Sequence, residues 1–219
     1  MTKEPNRIEL VFSELKSRGL IPPERKLRPS GIVPNFRSAL FFNTTSYNPK
    51  FCDMQEDTIR FSLLHEEGHK ILPQYGLPRA MLFFIIALIP LLFIFIFYHN
   101  TPVSADNNFV PVDNKSVLVI SSLFYTLILG FSTLATFRES FHGDELNADL
   151  YAAEILRDSY GVKKPSYVLY NTLIELDSIM YPEHSEKASL LYQLQYGLLP
   201  LHPPIAGRVK NVARFVDCY

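Results

Sequence analysis

The sequence predicts a mainly helical α+β chain: a small domain with a short β-sheet and a metal-type helix, interrupted by a two-helix transmembrane hairpin. Three observations carry that prediction. His65-Glu66-Glu67-Gly68-His69 fits H-E-x-x-H, two uncharged apolar runs occupy residues 80–98 and 117–137, and apolar residues elsewhere recur mostly at helical spacing. The expected boundaries follow. Residues 1–79 hold the first part of the domain with the motif helix, 80–137 the hairpin, and 138–219 a helical second part with the remaining metal ligand.

Charge and composition narrow the partners. The net charge is −1 over 219 residues, with neither an acidic nor a basic tail, which gives no electrostatic case for a nucleic-acid partner. Hydrophobic residues make up 47% of the chain, and the two long runs concentrate them. Cys52 and Cys218 stand far apart and form no C-x-x-C, so neither a disulfide framework nor a thiolate metal site is expected. Residues 1–9 lack the apolar core of a secretory signal, and the mature chain is expected to start at or near Met1.

Residues 5–18 place Ile8, Val11, Phe12 and Leu15 on one helical stripe, with Gly19 as the stop. Pro22 and Pro23 mark a connection in which Arg25, Lys26 and Arg28 read as solvated charges. Phe36 and residues 39–42 suggest a strand ending in a turn at Asn43-Thr44-Thr45, with one or two short strands beside it. If that strand has an open edge it can hold an extended peptide; a purely structural strand is the equal alternative. Asp53 and Glu56 have capping-box spacing ahead of the motif helix, Ile59, Leu63 and Ile71 recur along one side of it, and Pro73 ends it.

The run 80–98 is nineteen positions without a charge, about 28 Å as a helix, which matches a bilayer core, and Pro90 is expected to kink it. In 117–137, Ser122, Thr126, Gly130 and Thr133 form a small-residue stripe suited to close helix packing. The segment between the runs contains Asp106, Asp113 and a single cation, Lys115, while Arg60, Lys70, Arg79, Arg138 and Arg157 lie outside the runs. The positive-inside rule then puts both flanks, and the metal motif, in the cytoplasm. Asn114-Lys-Ser and Asn43-Thr-Thr fit glycosylation sequons without further support. Beyond the hairpin, residues 141–156 read as a helix with Leu146, Leu150, Ala153 and Leu156 on one side. Helices are also expected from Pro165 to about Tyr181, over 183–196, and from Pro203 or Pro204 through Phe215.

On a helix, His65 and His69 sit one turn apart and can meet one metal ion, with Glu66 beside it. A catalytic zinc of this type takes three protein ligands, and Glu145 is the candidate for the third. Asp149, four residues on and on the same face, is placed to accept the free ring N–H of a ligand histidine. Two membrane crossings return Glu145 to the side of His69. His142 is a weaker alternative ligand, His184 falls in a turn, and His99 lies at the far membrane boundary. Tyr167, Tyr170, Tyr192 and Tyr196 read as core or membrane-surface packing rather than catalytic groups.

With H65-E-E-G-H69, E145-L-N-A-D149 and H202-P-P-I-A-G-R208 in that order, residues 35–212 resemble the gluzincin metalloproteases. The likeness is to the HtpX-type membrane enzymes and their soluble minigluzincin relatives. Unlike the HtpX-type and CAAX prenyl proteases, residues 1–79 contain no membrane-length apolar run. The resemblance implies a zincin-like domain, one catalytic Zn2+ and hydrolysis of peptide bonds in membrane-associated or misfolded proteins. His65, His69 and Glu145 would hold the metal and Glu66 would act as general base. His202 is the candidate oxyanion donor, and Arg208 would orient the C-terminal segment or a carboxylate. Expected partners are a protein or peptide substrate and the lipid bilayer. Two other readings stay open: a catalytically silent membrane protein with a structural metal, and a regulatory protease of ImmA or IrrE type with one substrate, kept latent by its own N- or C-terminal segment across the cleft, for which the tail Asn211–Tyr219 is a candidate.

Overall fold

Asn6 begins the first helix, α1 (Arg7–Ser17), through a capping box: its side chain accepts from the Glu9 N–H, and the Glu9 carboxylate accepts from the Asn6 N–H. The helix buries the four residues its period selects, Ile8, Val11, Phe12 and Leu15, and the chain leaves it through Gly19 at φ +72°, a conformation open to glycine. The structure is a computed structural model that describes residues 4–38, 42–74, 76–100, 114–180 and 202–218. It is mainly helical with one small sheet. The described chain forms two compact units, one of Met1–Gln74 with His142–Tyr219 and one of Tyr75–Phe141.

In the first unit, β1 (Lys26–Pro29), β2 (Phe36–Ser38) and β3 (Thr44–Tyr47) form a mixed sheet in the order β1-β3-β2. β3 is central, parallel to β1 with Lys26 opposite Thr44, and antiparallel to β2 with Phe36 opposite Tyr47. Thr44 and Thr45, expected in a turn, are therefore ladder residues; β-branched side chains suit that pleated position. Residues 39–41 of the expected strand lie outside the described residues.

The motif helix α2 (Glu56–Ile71) starts later than the Asp53 cap required. Gln55 is its N-cap and makes no side-chain cap bond, because a short 3-10 turn at Pro49–Phe51 and the bend after it occupy the approach. Glu56 and Asp57 in the first turn instead favour the helix dipole and pair with Arg60. Ile59 and Leu63 are buried as expected, whereas Ile71 at the helix end is exposed.

From His142 onward, α4 (Asn114–Tyr160) belongs to this unit, followed by α5 (Pro165–Met180), α6 (Ile205–Val212) and a π turn at Ala213–Asp217. The buried stripe of α4 runs through Glu145, Ala148, Asp149, Ala152, Ala153 and Leu156; Leu146 and Leu150 are half-buried. Small alanines rather than leucines face α2, because Gly68 brings the two backbones close: a Cβ there would sit 3.1 Å from Ala148 Cα. The core joins α1, the sheet, α2, α4, α5 and the C-terminal segment around Phe51, Phe61, Leu64, Leu156, Leu169 and Val216.

The tail expectation is corrected. Val212 and Val216 are fully buried, and Asp217 accepts from Ser166 N–H at 3.2 Å and from the Ser166 hydroxyl, tying the chain end to the start of α5. Tyr167 and Tyr170 are exposed rather than core. The helix expected over 183–196, with His184, Tyr192 and Tyr196, lies outside the described residues.

The second unit holds α3 (Gly76–Asn100) and the first part of α4. Leu82, Phe84, Ile85, Leu92 and Phe95 on α3, and Leu123, Phe124, Leu127 and Phe131 on α4, are exposed. Among the described residues one helix, Ile120–Tyr160, is long and apolar enough by length and composition to cross a membrane. Thr126 and Gly130, expected at a close helix contact, are exposed, and a Cβ on Gly130 would meet nothing within 4 Å. Ser122 and Thr133 of the expected stripe are half-buried, together with Tyr125, Leu129, Ser132 and Thr136.

Candidate metal centre

The site lies within the first unit, where the last two turns of α2 face α4. His65 Nε2 and His69 Nε2 are 3.1 Å apart, His69 Nε2 is 3.2 Å from Glu145 Oε1, and His65 Nε2 is 3.6 Å from Glu145 Oε2. Two donors bound at about 2.0–2.1 Å to one tetrahedral ion lie about 3.3 Å apart, so the three spacings fit a single ion. All three ligand atoms fall within 4.8 Å of one another, and the group can hold a metal. Two imidazole nitrogens and a carboxylate oxygen form a donor set suited to zinc and to other divalent transition ions.

Behind the ligands sits a buried chain of charge. Asp149 is fully buried; its Oδ1 lies 2.9 Å from His65 Nδ1, off the line of an ideal hydrogen bond. Arg208 from α6 binds the same carboxylate in bidentate fashion, Nε to Oδ2 at 2.7 Å and Nη2 to Oδ1 at 2.6 Å, and reaches within 3.6 Å of Glu145. His202 Nδ1 is 3.3 Å from Glu145 Oε2. Burial pulls the His69 pKa down, but the Glu145 carboxylate at hydrogen-bond distance, with the charges of Glu66 and Asp149, raises it above the ordinary histidine value. A proton therefore competes with a metal for this nitrogen.

Glu66 points to the sheet instead. Its Oε2 accepts from Ser38 N–H at 2.5 Å, and its carbonyl oxygen accepts from Ser38 Oγ at 2.9 Å. Ser38 ends the edge strand β2, so the sheet edge reaches the residue after the first histidine. His142, also described, is not part of the metal group.

Three contributors were not legible as such. Arg25, expected to be solvated, is buried: Nε and Nη2 bind Glu67 Oε2 and Oε1 at 2.8 and 2.6 Å, and Nη1 binds Asn43 Oδ1 at 3.0 Å. Glu67, a variable position in H-E-x-x-H, is 1% exposed. Ser38 lay in a strand whose edge exposure no single sequence shows. The one signal available was spacing: Glu67 is two residues from both His65 and His69, so it faces away from the metal side of the helix and needs a partner there.

No family model, curated protein or solved structure matches the chain.

Proposed function

We propose that this protein is a membrane-embedded zinc endopeptidase. The observation that carries the reading is the convergence of three ligand atoms from His65, His69 and Glu145, with Glu66 on the same helix as the histidines and near enough for its charge to act on His69. Glu66 also holds the end of β2 through Ser38, but a structural metal site needs no carboxylate beside its ligands, whereas hydrolysis needs a base there. His65, His69 and Glu145 would hold the zinc ion, which would supply Lewis acidity and lower the pKa of water at the site.

The protein's own groups do the rest. Glu66, held by Ser38 N–H, takes the proton of the attacking water and passes it to the leaving amine. Asp149, fixed by Arg208, holds His65 through Nδ1 so that Nε2 faces the ligand position. His202, against Glu145, is proposed as the donor for the developing oxyanion. The edge of β2 offers main-chain groups to an extended peptide of a membrane-associated or misfolded protein.

The exposed apolar faces of α3 and α4 support two spans, and the cation excess on their outer flanks supports a cytoplasmic site. The test is metal content and casein cleavage by detergent-purified wild type and Glu66→Gln. About one zinc in each, with cleavage by wild type alone, is the expected outcome. Zinc in both and cleavage by neither favours a structural metal, and no metal in either removes the reading.

A further inference from the structure

Beside the metal group, Arg25, Ser38, Asn43, His69, Lys70 and Gln74 line most of a recess of about 310 Å3. That is the small end of ligand pockets, about 300–1,000 Å3, and suits one side chain rather than a large molecule. Its lining contains two cations and no carboxylate. The two cations differ. Arg25 is neutralised by the bidentate contact to buried Glu67. Lys70 is held by carbonyl oxygens, Phe42 O at 2.5 Å and Thr44 O at 3.4 Å, and makes no ion pair among the described residues. Carbonyls fix an ammonium in place without cancelling its charge, and although the charges of Glu66 and Glu67 act on Lys70, neither carboxylate lines the recess, so Lys70 is the cation it presents to a ligand. Asn43 adds polarity: its Oδ1 is occupied by Arg25, which leaves its amide N–H groups as donors.

The position of the recess gives that charge a use. His69 forms part of its wall and also belongs to the metal group, while Ser38 forms another part and holds Glu66. Because His69 and Ser38 both line the recess, a chain laid along β2 with a bond at the metal group would bring a neighbouring residue to it. We propose that the recess is a specificity subsite that takes a carboxylate next to the scissile bond, with Lys70 as the selecting residue. The carboxylate is an Asp or Glu side chain, or the C-terminal carboxylate of the peptide. The proposal rests on the protease reading for the direction of the peptide, but not for the charge preference.

The experiment uses full-length protein in detergent, with metal content checked for every variant. Fluorescein-labelled peptides differing only by Glu, Gln or Lys at each position of an otherwise neutral sequence, with free or amidated C-termini, are titrated onto zinc-loaded Glu66→Gln. The same peptides are offered to wild type for cleavage. A charge-assisted bond predicts binding of the acidic peptide tighter than the Lys peptide by at least about tenfold at one position, or of the free over the amidated terminus. Lys70→Glu, added to Glu66→Gln, should invert the preference, and Lys70→Gln should abolish it, the latter serving if Lys70→Glu loses metal. Acidic preference that survives both substitutions, or no charge preference at all, overturns the subsite. Cleavage without charge preference sinks the subsite and leaves the protease; Lys70-dependent preference in binding without cleavage sinks the protease and leaves a carboxylate site.

Discussion

Asp149 is the residue on which the metal group depends most without belonging to it. It is fully buried between His65 Nδ1 and the guanidinium of Arg208. Asp149→Asn keeps the shape but removes the charge that both partners face. Loss of such a partner behind a ligand histidine lowers metal affinity by about 10–100-fold, measurable by chelator competition at fixed pH. If affinity stays within twofold, Asp149 serves packing alone. The Arg25–Glu67 pair obeys different arithmetic. Arg25→Ala strands a buried carboxylate, at a cost of about 3–5 kcal/mol, whereas Arg25→Met with Glu67→Met removes both charges and should cost much less or nothing. Thermal unfolding of the three proteins in one detergent checks this, and equal losses would show that the pair is not isolated from other contacts. The histidine pair was legible because i, i+4 spacing and side-chain chemistry are local properties; Glu145, on a separate helix, rested on its own i, i+4 pairing with Asp149, on the hairpin topology and on the motif order. The burial of Arg25 was not, because it depends on β1 entering the sheet beside α2, a long-range event that three charges in a polar connection do not announce.

At the scale of elements, the approach of α2 to α4 sets the ligand geometry. Gly68 and Ala148 are the contact, one turn from His65 and from Glu145 respectively. Gly68→Ala gains about 1 kcal/mol of helix propensity, but its Cβ meets Ala148 Cα and the Tyr151 ring at 3.1 Å each. The ring can swing away; the α4 backbone cannot without shifting Glu145. Overpacking costs about 1–3 kcal/mol, so Gly68→Ala should be close to neutral in stability yet bind metal more weakly, and Gly68→Val should lose both. Unchanged metal affinity in Gly68→Ala would mean that α4 absorbs the shift elsewhere. The same contact explains why the helix was predicted over 141–156 but its buried face only in part, with Ala153 and Leu156 buried as expected. Leucine spacing points to Leu146 and Leu150, whereas a glycine on the partner helix draws in Ala148 and Ala152. A capping box at Asp53 was likewise a local pattern overruled, here by the turn at Pro49–Phe51 that carries the chain into α2.

Over the whole molecule, a mixed sheet and helical core with buried charge stand in one unit, and long helices with exposed leucine, isoleucine and phenylalanine in the other. Apolar side chains displayed around α3 and the first part of α4 are unfavourable in water and favourable in hydrocarbon, which is the basis for the proposed bilayer; among the described residues one helix, Ile120–Tyr160, has the length and composition to cross it. Loops between spans are oriented by lysine and arginine, and the segment 99–116 has Lys115 alone, against Arg60, Lys70, Arg79, Arg138 and Arg157 on the outer flanks. The expectation is therefore that residues near Asn107 face outward and the metal group inward. With Cys52 and Cys218 replaced by serine, a cysteine introduced at Asn107 should react with a membrane-impermeant maleimide in intact cells. A cysteine introduced at Ser13, on the exposed side of α1, should react only after permeabilisation. The reverse pattern would put the metal group outside. Reaction of both in intact cells would remove the hairpin, since its first crossing must separate Ser13 from Asn107.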